Sequence, residues 1–514
     1  MYDQTSQVKL HFRETEELIR SVPPDEVARW LLQHGYFPES NILPPTFVSE
    51  EFHLQKKRYN KDPKSLTRRK LISISYPKTL LSSREFSIQH PWNYHDVVFE
   101  LHKEWGRVLD ILYSPDLRIY SYSLPLPLTK SKSRNLSNLR AGRMIYEWIK
   151  MAENDLVLDS TRFSLIAKTD ISNFYSSIYT HSIAWALEGR EEAFKDKDFV
   201  LPGCIIDRLI QYANDARTNG IPVGSALSDL ISELVLCDID ARVSRKLKSL
   251  DFLAVRFKDD YRILCQTESE AQRVLSTLAS ELSNINLVLN ERKTSITSLP
   301  HGLYRVHDRR YFPHSLREKT TISFKAFEHT LLIALDIHRD YPGTSILEKF
   351  LSEILTKKNK LKLRFSKFEE RKVRELKKFI SLLFLAKRES EKILSHVLAL
   401  IELIYINNLD YKDELKPYLK DILSKEISDA AEKESAFEVV WYVFFSRYLG
   451  LGITNFGKLL GDTPIKQNEF VQSILTSQNK LYNEVNISLF RKPAECKGVL
   501  LVDRLDVFQK NAHT

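Results

Sequence analysis

The chain has 514 residues, 43% of them hydrophobic and 28% charged, a balance that excludes a wholly disordered protein and, with this length, predicts two or three domains. Lys and Arg number 76 against 67 Asp and Glu, for a net charge of +9, which favours a polyanionic partner without demanding one. The four cysteines, Cys204, Cys237, Cys265 and Cys496, form no CxxC pair, which argues against a zinc module or a disulfide framework and suits a reducing cytosol.

From the N-terminus, MYDQTSQVKLHFRETEELIR lacks the apolar core of a signal peptide. Leu18, Ile19, Val22, Val27, Trp30 and Leu31 then recur at helical spacing over 14–34. The three prolines of GYFPESNILPPTF (35–47) mark a structured loop or linker. Between about 70 and 130, short β-rich pieces such as LISISYP and YSYSLPLPL alternate with polar turns. RAGRMIYEWIKMAENDLV (140–157) has helical periodicity, and FSLIAKTDISNFYSSIYT (163–180) begins as a strand and ends in a turn or helix start.

Beyond about residue 315 the pattern is helical: AFEHTLLIALDIH, GTSILEKFLSEIL, EERKVRELKKFISLLFL, SEKILSHVLALIELI and KESAFEVVWYVFFSRYL follow one another. Such a succession predicts a helical bundle or an α-solenoid. The longest strongly apolar stretch, Val439 to Phe445, is too short to span a bilayer. The expectation is a cytoplasmic protein with no membrane partner.

Three segments carry chemistry together. Asp170 ends an apolar strand in SLIAKTD. GIPVGSALS (220–228) is a glycine-bracketed loop opening a helix. In AVRFKDDYRIL (254–264) two β-like runs flank Asp259 and Asp260 at a tight turn. Adjacent carboxylates repel unless cations compensate them. A third at the end of a neighbouring strand completes an all-oxygen cage suited to Mg²⁺. Two such ions roughly 3.5–4 Å apart clamp the attacking and leaving oxygens of a phosphoryl transfer. An Asp-Asp pair alone is more often a solvated turn; the order strand-Asp, Gly-Pro-x-Gly-Ser loop, strand-Asp-Asp-strand is what singles this one out.

This order resembles a reverse transcriptase palm. DISNFY is similar to the first catalytic motif, GIPVGSALS to the nucleotide-and-template motif, FKDDY to the Y-x-D-D motif, and LNERKTSI (289–296) to the fourth motif. DISNFYSSIYTHSIAWAL and the long helical C-terminus especially resemble the abortive-infection, AbiK-like reverse transcriptases. The resemblance implies an α+β fold: right-hand-polymerase fingers and palm over 1–315 with an N-terminal helical extension, then an all-helical, HEAT-like or bundle domain over 316–514. It implies a nucleotidyltransferase of antiphage defence that makes DNA from dNTPs without a template. It also implies priming by a protein hydroxyl, a single-stranded DNA product attached covalently, and assembly into homo-oligomers.

Carried over residue by residue, Asp170 and Asp259 would hold two Mg²⁺ or Mn²⁺ ions, with Asp260 at or just outside them and the Ile171 carbonyl adding an oxygen. Tyr175, five positions after Asp170, takes the steric-gate place, and Gly224 lies in the nucleotide-binding loop. Lys293 would stand near the leaving pyrophosphate as electrostatic stabiliser or proton donor. Lys78 and Arg84, on either side of the turn within YPKTLLSSREFSI, are candidates for the triphosphate, with Arg68, Arg69 and Lys70 as competitors. Two departures stand out. Val223 replaces the glutamine of template-copying enzymes, and Lys258 replaces the usual small residue before the paired aspartates. Tyr2, Tyr36 and Tyr59 could offer the priming hydroxyl, Tyr36 least so because GYFPE reads as a packed turn. The basic tract 357–378 is either a solvated face or a path for the product strand. The alternatives are a template-copying enzyme, as in retrons or group II introns, and an inactive palm used as a scaffold.

Overall fold

The structure, a computed structural model, describes residues 6–55, 66–79, 82–128, 136–137 and 146–508. The chain divides into two compact units. One comprises Met1–Phe37, Glu50–Ile72 and Ser87–Tyr304; the other comprises Pro38–Ser49, Ser73–Phe86 and Arg305–Thr514. This differs from a single cut after residue 315. The boundary falls at 304/305, and two N-terminal segments cluster with the helical unit. Apolar burial explains the first of these: Ile42 and Leu43 are buried, and Trp441 Nε1 donates to the Ile42 carbonyl at 3.1 Å.

The first unit is built on a five-stranded sheet. Its strands are β3 (Ile119–Ser121), β4 (Leu165–Asp170), β5 (Leu253–Phe257), β6 (Asp260–Cys265) and β7 (Ser295–Ser298), in the order β3-β5-β6-β4-β7. β5 and β6 form a hairpin, β6 and β7 each pair antiparallel with β4, and β3 joins β5 in parallel. β4 is thus enclosed on both edges, and the apolar residues Ile166, Ala167, Val255, Ile263 and Leu264 are buried, as a sheet covered by helices requires. Among those helices are α1 (Gln7–Ser21), α2 (Pro24–Gln33), α3 (Pro91–Lys103), α4 (Trp105–Leu112), α5 (His181–Glu188), α6 (Pro202–Ala213), α7 (Ala226–Lys246) and α8 (Glu268–Ser283).

α7 is central: nearly every residue from Ala226 to Ser244 is buried. A helix buried on all sides belongs inside a domain, and this one packs against α4, α5, α8 and β3. Its start is set by Ser225, whose side chain accepts from the Ser228 amide at 3.2 Å. α8 opens on a capping box formed by Thr267 and Glu270.

The second unit carries most of a two-stranded hairpin, β1 (Ile72–Thr79) with β2 (Ser82–Ile88). Its helices include α9 (Phe324–Asp340), α10 (Ile346–Glu353), α11 (Glu369–Glu389), α12 (Leu394–Asn407), α13 (Lys412–Glu432) and α14 (Ala436–Tyr448). After residue 316 the described β-structure is a two-residue parallel pair, Ile322–Ser323 with Leu363–Arg364, and isolated bridges. The apolar run Val439 to Phe445 lies wholly buried within α14. Among the described residues no single helix is long and apolar enough to cross a membrane.

Gly220 shows how backbone chemistry shapes the first unit. It has φ +82°, and a Cβ there would lie 3.0 Å from the Ser176 carbonyl oxygen. Its amide donates to Ile178 O at 2.8 Å, and the next amide, of Ile221, donates to Tyr175 O at 2.9 Å. Gly220→Ala should therefore cost about 1–3 kcal/mol through strain and crowding, read as a lower urea midpoint with an unchanged slope.

Candidate active site

The β-ladder brings the first two motifs together. β4 and β6 are in a register that sets Asp170 directly opposite Asp260, and the β5–β6 register pairs Phe257 with Asp260. Lys258 and Asp259 form the two-residue turn between them. Lys258 adopts φ +54°, a left-handed conformation that costs a non-glycine residue of order 1 kcal/mol or more. The Asp259 carbonyl accepts from the Ile171 amide at 3.1 Å, which fixes the turn against the end of β4.

The fourth motif arrives by backbone pairing. Ile171 forms an antiparallel bridge with Leu289, Ser172 donates to Val288 O at 2.9 Å, and Asn290 donates to Asp170 O at 2.8 Å. That pairing leads into the 3₁₀ turn Glu291–Lys293, from which the Lys293 ammonium reaches Asp170 Oδ2. The hydrogen bond to Asp170, with the charges of Asp170, Asp259 and Asp260, raises the Lys293 pKa above its ordinary value despite burial. Lys293 is therefore a cation held by Asp170.

Asp170 is buried, Asp259 half-buried and Asp260 exposed. Among the described residues no three His, Cys, Asp or Glu side chains are gathered closely enough to hold a metal ion as they stand. The backbone sets Asp170 opposite Asp260 beside the turn that bears Asp259, while Lys293 engages one oxygen of Asp170. The other, Oδ1, is buried and has no hydrogen-bond partner. An unsatisfied buried carboxylate oxygen is costly, and as a hard donor beside two further carboxylates it fits Mg²⁺ or Mn²⁺.

Tyr175 stands in a short turn of helix, Phe174–Ser177, entered through Asn173 at φ +46° and ψ +41°. Asparagine tolerates this left-handed conformation better than most residues. The Tyr175 hydroxyl donates to Asp229 Oδ1 at 2.5 Å, and Lys258 Nζ lies 3.4 Å from Asp229 Oδ2. Burial, then the Asp229 charge and hydrogen bond, push the Tyr175 phenol well above its ordinary pKa. Gly224, buried with φ +132°, precedes the Ser225 cap. The Val223 carbonyl accepts from the Ser87 amide at 2.8 Å.

Behind the turn lies a buried ionic network. The Arg256 guanidinium donates to Asp240 Oδ2 at 2.7 Å, to Glu233 Oε1 at 2.9 Å and to the Lys258 carbonyl at 3.1 Å. Ser121 and Ser123 donate to Glu233 at 2.6 and 2.7 Å, and the Lys258 amide donates to Ser123 Oγ at 2.8 Å. Tyr261 donates to Asp240 Oδ1 at 3.1 Å.

Asp229, Glu233, Asp240 and Arg256 escaped the sequence reading. The signal was present: acids recur at helical spacing along an otherwise buried helix, and an arginine interrupts the apolar strand LAVRF. Fully buried charges imply partners.

The remaining candidates stand on other segments of the chain. Lys78 and Arg84 are exposed on the hairpin section assigned to the second unit. There burial holds the Lys392 ammonium below its ordinary pKa, and Arg84 and Lys78 add to that effect. Arg69 pairs through its backbone with Tyr212 and Asp215, flanked by exposed Arg68 and Lys70. Tyr36 is buried, its hydroxyl donating to Gln89 O at 2.5 Å; Tyr2 and Tyr59 lie outside the described residues. The tract 357–378 is not one helix. Its middle lines a surface cleft of about 520 Å³ with Phe365, Lys367, Lys372 and Tyr411, and Lys362 turns inward to the Leu316 and Arg317 carbonyls.

Residues 107–329 match the protein family described as "Reverse transcriptase (RNA-dependent DNA polymerase)". They include all three aspartates, Tyr175, the GIPVGSALS loop and Lys293. No curated protein sequence matches the chain. Similar solved structures include a C-terminally truncated apo telomerase from Candida tropicalis, at 15% identity and TM-score 0.30 over 46% of this chain and 51% of that one. The apo telomerase of the same organism matches at 14% identity and TM-score 0.31, over 70% of this chain and 69% of that one. A telomerase from Candida albicans in complex with a TWJ fragment of telomeric RNA matches at 14% identity and TM-score 0.29, over 72% and 66%. The chain thus spans about half the length of the first of these.

Replacing Arg256 by Met should destabilise the protein by about 3–5 kcal/mol, because Glu233 and Asp240 are left charged and buried without their partner. Equilibrium urea unfolding measures the loss. Adding Glu233→Gln and Asp240→Asn to that variant should restore part of it.

Proposed function

We propose that this chain, whose residues 107–329 carry a reverse transcriptase domain, is a DNA polymerase that adds deoxynucleotides without a template. In this reading it primes on a protein hydroxyl and serves abortive-infection defence against phage. The observation that carries the polymerase reading is the convergence of Asp170, Asp259 and Asp260 on one ladder end, with Lys293 delivered to the same point. The absence of template copying is argued from Val223, whose aliphatic side chain cannot make the amide contacts of a glutamine. Product attachment, homo-oligomers and the defence role follow from the resemblance to the AbiK-like group.

Asp170, Asp259 and Asp260, with the Ile171 carbonyl, would hold two divalent cations. Once bound, these neutralise the phosphates and activate the attacking hydroxyl oxygen. Lys293 keeps its proton, since the aspartates favour the ammonium, and can present that charge or proton to the leaving pyrophosphate. The Tyr175 ring would occupy the space a ribose 2′-hydroxyl needs. Lys78 and Arg84 remain candidates for the triphosphate on charge alone.

Purified protein given labelled dNTPs and Mg²⁺ alone should incorporate label, and EDTA should stop it. Asp259→Asn with Asp260→Asn should abolish incorporation with the circular dichroism spectrum unchanged, because removing like charges does not weaken the fold. Undiminished incorporation by the folded double variant would overturn the site. Tyr175→Ala should admit ribonucleotides. On a denaturing gel the label should migrate with the protein until protease or nuclease treatment. Label that separates without proteolysis overturns protein priming, and product that follows an added homopolymer favours the template-copying reading.

A further inference from the structure

Asp229 sits in the first turn of α7, where the helix dipole favours a carboxylate. It is only 6% exposed, so its charge needs partners. Two of them come from different motif loops: Tyr175, from the segment following Asp170, and Lys258, from the turn holding Asp259. One carboxylate therefore links both loops that carry the aspartates to the helix behind the GIPVGSALS loop.

Each partner is anchored at its backbone as well. The Tyr175 carbonyl accepts from the Ile221 amide, and its ring packs against Phe174 with centroids 5.0 Å apart. Lys258 is held at its amide by Ser123 and at its carbonyl by Arg256. The tether at the far end of the tyrosine ring leaves both of its side-chain torsions fixed, whereas packing alone leaves a phenylalanine freer. The lysine that replaces the usual small residue has a structural role here, since its ammonium supplies the counter-charge that a buried Asp229 needs.

We infer that Asp229 is a positioning residue for sugar discrimination, which holds the Tyr175 ring at a fixed place relative to Asp170 and Asp259 by binding the tyrosine hydroxyl and the Lys258 ammonium together. The inference rests on the polymerase reading above. It makes the hydroxyl of Tyr175 matter, so that a phenylalanine, which keeps the ring, is not an equivalent gate.

The test compares kcat/KM for a dNTP and the matching rNTP in the full-length protein with Mg²⁺, for wild type, Tyr175→Phe, Asp229→Ala and their combination. Each single variant should lower the dNTP-to-rNTP ratio roughly fivefold or more, the scale of losing one charge-assisted hydrogen bond. The combination should lower it no further, because both changes cut the same tether. Single-variant ratios within about twofold of wild type, or effects that multiply in the combination, overturn the inference. Should Asp229→Ala fail to fold, Tyr175→Phe and Lys258→Met each remove one arm and are read by the same ratio. A wild-type protein that incorporates neither nucleotide sinks the polymerase reading. Incorporation with an unmoved ratio sinks the tether alone.

Discussion

The guanidinium of Arg256, buried among Glu233, Asp240 and the Lys258 carbonyl, is the interaction on which the geometry of the acidic turn depends. A hairpin turn bearing two aspartates opposite a third has every electrostatic reason to splay. What opposes this is a cation placed one layer behind it, hydrogen-bonded to the main chain of the turn itself. The network stands in low dielectric, where a satisfied ionic cluster is rigid and a broken one is costly. Ser121 and Ser123 use up further acceptor capacity of Glu233, which keeps its carboxylate from competing for Arg256 in another geometry.

Left-handed backbone occurs around the same point, as it does elsewhere in the chain. Asn173, Lys258, Gly220 and Gly224 all have positive φ, and all lie in the three motif loops. Glycine and asparagine accept this readily, while Lys258 is held there at its amide, its carbonyl and its ammonium. The loops are thus set by hydrogen bonds to their backbones, and the side chains they present are decided by that framework. Lys293 follows the same logic: pairing of 288–290 with 170–172 delivers its ammonium to Asp170.

The second unit is held together differently. Its core is aliphatic and aromatic, with α12 and α14 buried almost throughout. Buried charge in it is ion-paired or hydrogen-bonded: Lys387 with Glu426 and Glu438, and Glu353 accepting from Tyr311, Ser315 and the Leu316 amide. Such groups fix which helix faces meet, since an aliphatic surface alone permits several registers.

The sequence by itself determined the local units: helices from three-to-four periodicity beyond residue 315, strands on either side of Asp259-Asp260, and a turn after Asp170. These follow from periodicity and turn chemistry, which act over a few residues and leave their mark in the chain. It also carried the order of the motifs, from which the meeting of Asp170 with Asp259 and Asp260 is expected. Tertiary structure alone decided that Asp229 would bind Tyr175 and Lys258, that Arg256 would stand behind the turn, and that residues 38–49 and 73–86 would join the helical unit. Those outcomes depend on partners between about 16 and 400 positions apart. A single buried charge in a strand or helix signals that a partner exists, but only the packed fold selects which one.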